Sequence, residues 1–201
     1  MTDVQAVLFD LGNVLVRVNV DMFWRSLNFA GPEEIAPYAG ELKSWAMRYE
    51  AGEFATAEFM EGMQRIFGGR FRTEQLHDAF ERIIGEPFEG MEQLVGRVSQ
   101  RHRTALVSNT NEIHHLGSIR LVPALRYLPK HYVSYQLHVM KPAAGFYQAI
   151  VRDQQLPPDA LVFIDDLEEN VKAAVKAGMQ GIRFEGVAAL EKRLKEINIL
   201  E

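Results

Sequence analysis

A nearly continuous apolar run lies at the start of the chain and ends in a carboxylate. Residues 4–10 read Val-Gln-Ala-Val-Leu-Phe-Asp, and a Gly12-Asn13 turn and a second β-branched run follow. Apolar runs of this length are typical of strands that are buried on both faces of a parallel sheet. Ligands of open α/β sheets bind just beyond the carboxyl ends of such strands. We therefore expect a first strand over residues 4–10 and a functional role for Asp10.

Between residues 19 and 85, the spacing of the apolar residues changes to that of helices. Apolar positions recur every three to five residues, as on one face of a helix. This pattern predicts helices over residues 20–29, 33–49, 54–67 and 73–84, with no strand among them. Thr73 is the expected N-cap of the last helix, and Gly85 its expected end. The stretch predicts a helical cap over residues 18–85.

Strand and helix patterns alternate after Pro87, which is typical of α/β folds. The alternation predicts helices over residues 91–101, 143–155, 168–177 and 188–197, with strands over 104–108, 132–135, 161–164 and 181–184 and a loop over 137–141. Thr110 or Asn111 is the expected cap of a helix that follows the second strand. We expect an α/β core, a doubly wound parallel sheet, formed by residues 1–17 and 86–201.

Polar residues follow three of the predicted strands: Asp10, Ser108-Asn109 and Asp165-Asp166. Because parallel strands end at the same edge of a sheet, we expect these side chains to converge, with Lys141 joining them from a loop. Carboxylates that lie this close repel one another unless a cation lies among them. Oxygen ligands without His or Cys suit a hard ion such as Mg²⁺. The set fits phosphoryl transfer, in which a carboxylate can be the nucleophile.

The same residues carry a resemblance to a known family. Asp-Leu-Gly-Asn-Val-Leu at 10–15, Ser-Asn-Thr-Asn at 108–111, Lys141-Pro142 and Asp165-Asp166 resemble, in order and spacing, the motifs of the haloacid dehalogenase-like (HAD) hydrolases. The insert resembles their helical C1 cap, and the turn sequences resemble a bacterial branch that includes sugar-1-phosphate phosphatases. The resemblance implies a Rossmann-like core and a Mg²⁺-dependent phosphatase acting on a small phosphorylated metabolite, with a sugar phosphate as the expected substrate.

Roles for individual residues follow from this resemblance. It implies that Asp10 is the nucleophile and that Ser108 and Lys141 are the other catalytic residues, which bind the phosphoryl group. The expected substrate-binding set is Gly12, Asn13, Ser108, Asn109 and Lys141. The expected Mg²⁺ ligands are the carboxylates of Asp10, Asp165 and Asp166 and the main-chain carbonyl of Gly12. An alternative for Asp165 and Asp166 is an N-cap role at the helix that begins near Glu168.

One position departs from the family pattern. HAD phosphatases usually carry a second aspartate two residues after the nucleophile, where it protonates the leaving group, and this chain has Gly12 there. General acid catalysis is typically worth about 10²–10⁴-fold in rate. Three outcomes stay open: a preference for good leaving groups, a substitute acid such as His114 or His115, or a protein that binds phosphate compounds and barely turns them over.

Two other functions compete with the phosphatase. One is a non-catalytic, phosphometabolite-binding or regulatory protein, which Gly12 favours. The other is a metal-independent 2-haloacid dehalogenase, for which the loss of an acid is harmless because a halide leaves without a proton. Asp165 and Asp166 argue against the dehalogenase, because without a cation they would repel a carboxylate substrate.

Composition narrows the class of protein. The chain has 201 residues, 47% of them hydrophobic and 24% charged, and a net charge of -5. These values are ordinary for a globular protein and give no reason to expect nucleic acid or an anionic membrane as a partner. The absence of cysteine and of a signal-like N-terminus predicts a cytoplasmic location. A monomer or a dimer is expected.

Overall fold

The computed structural model describes residues 3–201 and is an α/β structure with a five-stranded parallel sheet. Its strands are β1 (Ala6–Phe9), β2 (Val16–Val18), β3 (Ile84–Pro87), β4 (Arg103–Ser108), β5 (Lys130–Val133), β6 (Leu161–Asp165) and β7 (Gln180–Arg183). The large sheet has the order β5-β4-β1-β6-β7, while β2 and β3 form a separate antiparallel ribbon. The predicted fold class is confirmed.

Helices separate the parallel strands, as a doubly wound sheet requires. They are α1 (Asp21–Ser26), α2 (Pro32–Glu50), α3 (Thr56–Ile66), α4 (Thr73–Glu81), α5 (Met91–Ser99), α6 (Glu112–Leu121), α7 (Ser134–Leu137), α8 (Ala144–Gln154), α9 (Glu168–Lys176) and α10 (Val187–Glu196). Short 3₁₀ turns lie at Pro123–Tyr127 and Pro158–Ala160. None of the helices among residues 3–201 is both long and apolar enough to cross a membrane.

Strand β1 lies at the centre of the sheet, and its alternating residues serve both faces. Val7 and Phe9 pack in the apolar cluster that contains residues of α5 and α10. Ala6 and Leu8 pack in the opposite cluster, together with residues of α8. All four side chains are fully buried. The central position of β1 fixes Asp10, the residue after it, at the middle of the carboxyl edge.

The inserted helices form an apolar cluster of their own. It is rich in aromatic side chains: Phe23, Trp24, Phe29, Tyr49, Phe54, Phe59, Phe67 and Phe80. Helices α2 and α3 pack closely where Gly62 meets the Trp45 ring, whose Nε1–H donates to the carbonyl oxygen of Phe59 at 3.0 Å. The division into a cap over residues 18–85 and a core formed by the rest stays a prediction.

The antiparallel ribbon corrects the sequence prediction in the insert. The predicted fourth helix ends at Glu81, and Ile84 and Gly85 lie in β3 instead. Val18 is paired with Ile84, and Val16 with Pro87. The helical spacing of Ile83 and Ile84 was misleading because the partner strand lies more than 60 residues earlier in the chain. Local periodicity carries no information about such a long-range pairing.

Two further element boundaries were wrong. Thr73 is the first residue of α4, and the cap position belongs to Arg72, whose N–H donates to the Gln75 side chain at 3.1 Å. Strand β5 ends at Val133, whereas the prediction continued it through Ser134 and Tyr135. Ser134 instead begins the short helix α7.

Candidate active site

Lys141 lies at the centre of the polar cluster at the carboxyl edge of the sheet. Its Nζ is 2.8 Å from Asp10 Oδ1, 2.6 Å from Asp165 Oδ2 and 3.2 Å from the carbonyl oxygen of Val107. The Lys141 side chain is only 1% exposed. Burial favours its neutral form, but attraction to the two carboxylates outweighs burial and raises the pKa of Lys141 above its usual value. The structure therefore brings together three of the side chains that the sequence predicted would meet.

Asp10 follows β1 directly and is held there by the sheet. Its main-chain N–H donates to the carbonyl oxygen of Ile164 at 2.9 Å. Burial raises the pKa of its carboxyl group to about 6; the nearby Lys141 ammonium lowers this pKa and the Asp165 carboxylate raises it, both by less than burial does. At neutral pH the group is mostly ionised, which is the form that a carboxylate nucleophile needs.

The carboxylate of Asp165 is fully engaged by protein donors. Besides Lys141, it accepts hydrogen bonds from the main-chain N–H of Leu167 at 2.9 Å and from Asn170 Nδ2 at 3.0 and 3.1 Å. Asp165 is completely buried. The N-cap position of α9 belongs to Leu167, so neither Asp165 nor Asp166 occupies it. Asp165 instead orients Lys141 and the first turn of α9.

Asp166 completes a cluster of carboxylates that suits a hard cation. Ligand oxygens of Asp10, Asp165 and Asp166 lie within 4.8 Å of one another. Burial and the neighbouring Asp165 raise the pKa of Asp166, which is half-buried. Oxygen-only donors of this kind fit Mg²⁺. Because the acceptor sites of Asp165 are already taken, Asp10 and Asp166 are the carboxylates with capacity left for an ion.

Asn109 and Ser108 end β4 beside Lys141. Asn109 Oδ1 accepts from the main-chain N–H of Lys141 at 2.8 Å, and Asn109 Nδ2 donates to the Lys141 carbonyl oxygen at 2.9 Å. Since both ends of this amide are used, the Asn109 side chain positions Lys141 rather than offering a free group to substrate. Ser108 is 2% exposed, and its hydroxyl makes only a long contact of 3.3 Å with the carbonyl of Asn109.

The turn after Asp10 orients Asp166 and closes against the ribbon. Asn13 adopts a left-handed conformation with φ of 54°. Its Oδ1 accepts from the main-chain N–H of Val18 at 3.2 Å, and its side chain also bonds to Asp166. Asn13 therefore links the ribbon to Asp166, and its expected part in substrate binding stays a prediction. Gly12 faces Val18, whose Cγ2 would lie 3.1 Å from a Cβ atom at Gly12.

A cavity of about 510 Å³ lies above these residues, between the inserted helices and the sheet. Its walls are mostly apolar and include Val18, Phe23, Trp24, Leu42, Met47 and Phe80. Polar groups reach it from both sides: Lys43 and Glu50 from α2, and Ser108, Asn109, Thr110 and His114 from the core. Gly12 also lines the cavity. A substrate bound here with its phosphate at Ser108 would place its other end among apolar side chains.

Both histidines that were candidate acids are neutral, and their ring nitrogens are paired with other groups of the protein. Asn111 caps α6 through Oδ1, which accepts from the His114 main-chain N–H, so its Nδ2 donates to His114 Nδ1 at 3.0 Å. His114 Nε2–H then donates to the carbonyl oxygen of Phe80 at 2.8 Å. Burial lowers the pKa of His114 to about 4. The imidazole is neutral at pH 7, and its only proton is held by Phe80.

His115 faces away from the cavity. Its ring nitrogens lie 3.1 Å from the Tyr135 hydroxyl and 2.8 Å from His131 Nδ1. Burial and the neighbouring His131 lower the pKa of His115 to about 4. Both histidines are therefore structural in this arrangement.

Sequence reasoning missed two residues of the site. Asn170 lies one turn into α9, where it donates to both oxygens of Asp165. Its spacing of five residues after Asp165 was a usable signal. Glu50 lies at the end of α2 and lines the cavity. No local pattern marks Glu50, since it looks like any charged residue near a helix end.

Comparison with known proteins assigns the family. The model of a family described as haloacid dehalogenase-like hydrolase matches residues 4–178, which is most of the chain and includes all the residues around Lys141. The chain belongs to the haloacid dehalogenase-like hydrolases. This membership agrees with the resemblance of the motifs and makes the protein a HAD hydrolase.

Curated relatives of this HAD hydrolase include one named phosphatase and one named hydrolase. It is 22% identical over 207 residues to D-ribitol-5-phosphate phosphatase of Bacteroides thetaiotaomicron, covering 96% of this chain and 98% of that protein. It is 39% identical over 59 residues to flavin mononucleotide hydrolase 1 of Arabidopsis thaliana, covering 29% of this chain and only 24% of that protein. Acyl-CoA dehydrogenase family member 10 of Mus musculus is 25% identical over 205 residues. This match covers 96% of this chain but only 19% of the mouse protein.

Solved structures share the fold of this HAD hydrolase. The HAD family enzyme BT-2542 of Bacteroides thetaiotaomicron has a TM-score of 0.84 at 23% identity, covering 92% of this chain and 95% of that one. Its complex with magnesium and inorganic phosphate has a TM-score of 0.78 at 22% identity, covering 91% and 95%. L-2-haloacid dehalogenase of Xanthobacter autotrophicus is more distant, with a TM-score of 0.67 at 16% identity and coverage of 98% and 85%.

Proposed function

We propose that this HAD hydrolase is a Mg²⁺-dependent phosphatase that works through an aspartyl-phosphate on Asp10. The observation that carries the proposal is the placement of Asp10 between the buried ammonium of Lys141 and the carboxylate of Asp166, directly before Leu11 and Gly12, which line the cavity. Phosphoryl transfer needs this combination of a nucleophile and nearby positive charge. One curated relative is a phosphatase by name and another is named a flavin mononucleotide hydrolase, which supports the same reaction.

Each residue of the cluster has a distinct task in this proposal. The Asp10 carboxylate attacks phosphorus in line, and the bond to the leaving oxygen breaks. Ser108 holds one phosphoryl oxygen, and Lys141 holds another by releasing Asp10 as that carboxylate attacks, while Asn109 and Asp165 keep Lys141 in place. Water then hydrolyses the aspartyl-phosphate and regenerates Asp10.

The donor set fits a magnesium ion, although its ligands stay a proposal. The ion would be held by Asp10, Asp166 and the carbonyl oxygen of Gly12. Asp165 would not bind it directly but would hold Lys141 in position beside Asp10. When bound, Mg²⁺ would offset the negative charge of the carboxylates and of the phosphoryl oxygens.

The substrate class follows less directly. A small phosphorylated metabolite fits a cavity of about 510 Å³, and the full-length likeness to D-ribitol-5-phosphate phosphatase supports a sugar or sugar-alcohol phosphate. The apolar walls support a leaving group that presents an apolar face, such as a flavin or another aryl group. A cytoplasmic location and a monomeric or dimeric state stay predictions from the sequence.

The test is release of inorganic phosphate by the purified protein, with Mg²⁺ or with EDTA. The panel contains ribitol 5-phosphate, a sugar 1-phosphate, flavin mononucleotide, acetyl phosphate and 4-nitrophenyl phosphate. Asp10→Asn is the matched control, because the amide has nearly the same shape and is a poor nucleophile. We expect turnover that needs Mg²⁺ and is lost by at least about 10³-fold in Asp10→Asn.

Other outcomes identify the competing functions. Halide release from 2-haloacids that persists in EDTA would identify a dehalogenase. Binding of Mg²⁺ and phosphate without turnover of any panel member would identify a binding protein. Phosphate release by Asp10→Asn at the wild-type rate would exclude an aspartyl-phosphate on Asp10.

A further inference from the structure

Gly12 leaves the proposed reaction without a proton donor. An alkoxide leaving group is unstable at neutral pH, so the release of a sugar or polyol from its phosphate is assisted by an acid near the leaving oxygen. That oxygen lies on the cavity side of the phosphoryl group, because Asp10 attacks from the opposite side. A replacement acid must therefore line the cavity.

Among the described residues that line the cavity, Lys43, Glu50 and His114 are the ionisable ones. His114 is excluded because its only proton is donated to Phe80. Lys43 is exposed to solvent. Glu50 is half-buried and lines the same cavity as Gly12 and Ser108, which leaves it as the acid best placed in the described part of the chain.

The core holds Glu50 firmly at this place. Ser134 is fully buried, and its hydroxyl lies 2.6 Å from the carbonyl oxygen of Glu50 and 3.0 Å from that of Thr110. The main-chain N–H of Thr110 donates back to Ser134 Oγ at 2.9 Å. The end of α2 is therefore held against the loop that follows β4, which begins directly after Ser108. This contact keeps the main chain of Glu50 close to Thr110, two residues after Ser108.

The surroundings of Glu50 suit a group that gives and takes a proton near pH 7. Burial favours its neutral form and raises its pKa to about 7, while a hydrogen bond with the Asn111 side chain favours the charged form and limits the rise. Lys43 lies on the same helix, and His114 faces the cavity from α6 as a neutral ring. A pKa near the working pH is optimal for general acid catalysis.

We propose that Glu50 is the catalytic acid that replaces the missing aspartate at position 12. This inference rests on the proposed phosphatase activity. As the phosphorus–oxygen bond to the leaving group breaks, the Glu50 carboxyl gives its proton to the leaving oxygen, and the alcohol departs. The Glu50 carboxylate then takes a proton from the water that attacks the aspartyl-phosphate, so the group returns to its starting form and every atom balances.

The test compares leaving groups in Glu50→Gln, which keeps the size of the side chain but cannot supply an acidic proton. On ribitol 5-phosphate, whose alkoxide needs a proton, we expect kcat to fall by about 10²-fold. On 4-nitrophenyl phosphate, whose phenolate leaves unaided, we expect a loss several-fold smaller. Glu53→Gln, three residues further along, is the matched control, because Glu53 is exposed and paired with Arg48 at 2.6 Å.

Two further readouts separate an acid from a structural residue. The alkaline limb of the kcat–pH profile on ribitol 5-phosphate should disappear in Glu50→Gln. Gly12→Asp in the Glu50→Gln background should restore much of the lost turnover, because it supplies an acid two residues after the nucleophile. Equal losses on both substrates, or no loss on ribitol 5-phosphate, would overturn the proposal while leaving the phosphatase intact. A wild-type protein without any phosphate release would overturn both.

Discussion

The side-chain amide of Asn109 makes two hydrogen bonds with the main chain of Lys141. Oδ1 accepts from the Lys141 N–H at 2.8 Å, and Nδ2 donates to the Lys141 carbonyl oxygen at 2.9 Å. The pair joins the end of β4 to the loop before α8, across 32 residues of sequence. Among the described residues, Lys141 carries the only ammonium in contact with Asp10 and Asp165. The two hydrogen bonds from Asn109 therefore fix the main-chain position of the residue that bridges these carboxylates. In the proposed function Lys141 binds the phosphoryl group, and a lysine held in this way is preorganised, which lowers the entropic cost of ordering its side chain when substrate binds.

Removing these two hydrogen bonds should weaken catalysis without unfolding the protein. For Asn109→Ala we expect kcat/KM to fall by about 10- to 100-fold, because a small displacement of Lys141 misaligns the phosphoryl group. Gln100→Ala, at an exposed position after α5, is the control and should retain wild-type kinetics. Steady-state phosphate release and circular dichroism check the prediction. Wild-type kinetics in Asn109→Ala would show that Lys141 does not need this support.

An aspartate at position 12 should favour poor leaving groups. For Gly12→Asp in the otherwise unchanged protein, we expect turnover of ribitol 5-phosphate to rise relative to that of 4-nitrophenyl phosphate. The new Cβ would lie 3.1 Å from Val18 Cγ2, so the double variant with Val18→Ala removes the crowding. The ratio of the two kcat values is the measurement. An unchanged ratio in both variants would mean that protonation of the leaving group does not limit the rate.

The two adjacent aspartates should respond differently to loss of charge. Asp166→Asn should weaken Mg²⁺ binding while leaving thermal stability close to wild type, because Asp166 is half-buried and has capacity for an ion. Asp165→Asn should lower the free energy of unfolding by about 3 kcal/mol, because it takes a carboxylate away from the buried Lys141. Titration calorimetry with Mg²⁺ and urea unfolding separate the effects. Equal behaviour of the two variants would contradict the division of tasks.

Acid should destabilise the protein through His114. Its pKa is about 4 in the folded protein and near 6.5 in an unfolded chain, so between these pH values the unfolded chain binds a proton that the native protein does not. Stability from this group is therefore present above pH 6.5 and falls as the pH drops towards 4, by about 3 kcal/mol in total.

The His114 contribution is isolated by comparison with His114→Gln. Asp10 and Glu50 have raised pKa values and act in the opposite direction, so the pH dependence of the wild type alone is not diagnostic. The difference in unfolding free energy between wild type and His114→Gln, measured in urea from pH 7.5 to 4.5, should shrink as the pH falls. A difference that stays constant would show that His114 titrates normally in the folded state.

Two glycines of the inserted helices offer a matched test of packing. A Cβ at Gly62 would lie 2.2 Å from the Trp45 ring, so Gly62→Ala should lower stability by about 1–3 kcal/mol through overpacking. Gly40 lies in α2 with no atom within 4 Å of such a Cβ, so Gly40→Ala should raise stability by about 0.5–1 kcal/mol. Thermal unfolding measures both. The same sign for the two variants would contradict the close approach of α2 and α3.

Many element types were predictable because local patterns specify them. The strand before Asp10 was visible as an apolar run, and helix α2 as a regular apolar spacing that tolerates Pro37. The ribbon of β2 and β3 was not visible, because its stability comes from the pairing of Val18 with Ile84 across the whole insert. Short strands that depend on distant partners carry little local signal.

The candidate site divides in the same way. The sequence by itself determined which side chains follow which strands, and therefore that Asp10, Ser108 and Asp165 would meet at one edge of a parallel sheet. Only the tertiary structure decided how each group is used: Asn109 holds Lys141, Asn13 holds Asp166, and the candidate acids His114 and His115 are tied to other partners. The physical reason is that the donors and acceptors of each side chain are paired with groups that lie near it only in the folded chain. Residue type alone does not reveal which donors and acceptors stay available to substrate or metal. Glu50 lines the cavity for the same reason, since Ser134 contacts its carbonyl oxygen and that of Thr110 and so holds the end of α2 against the loop after β4.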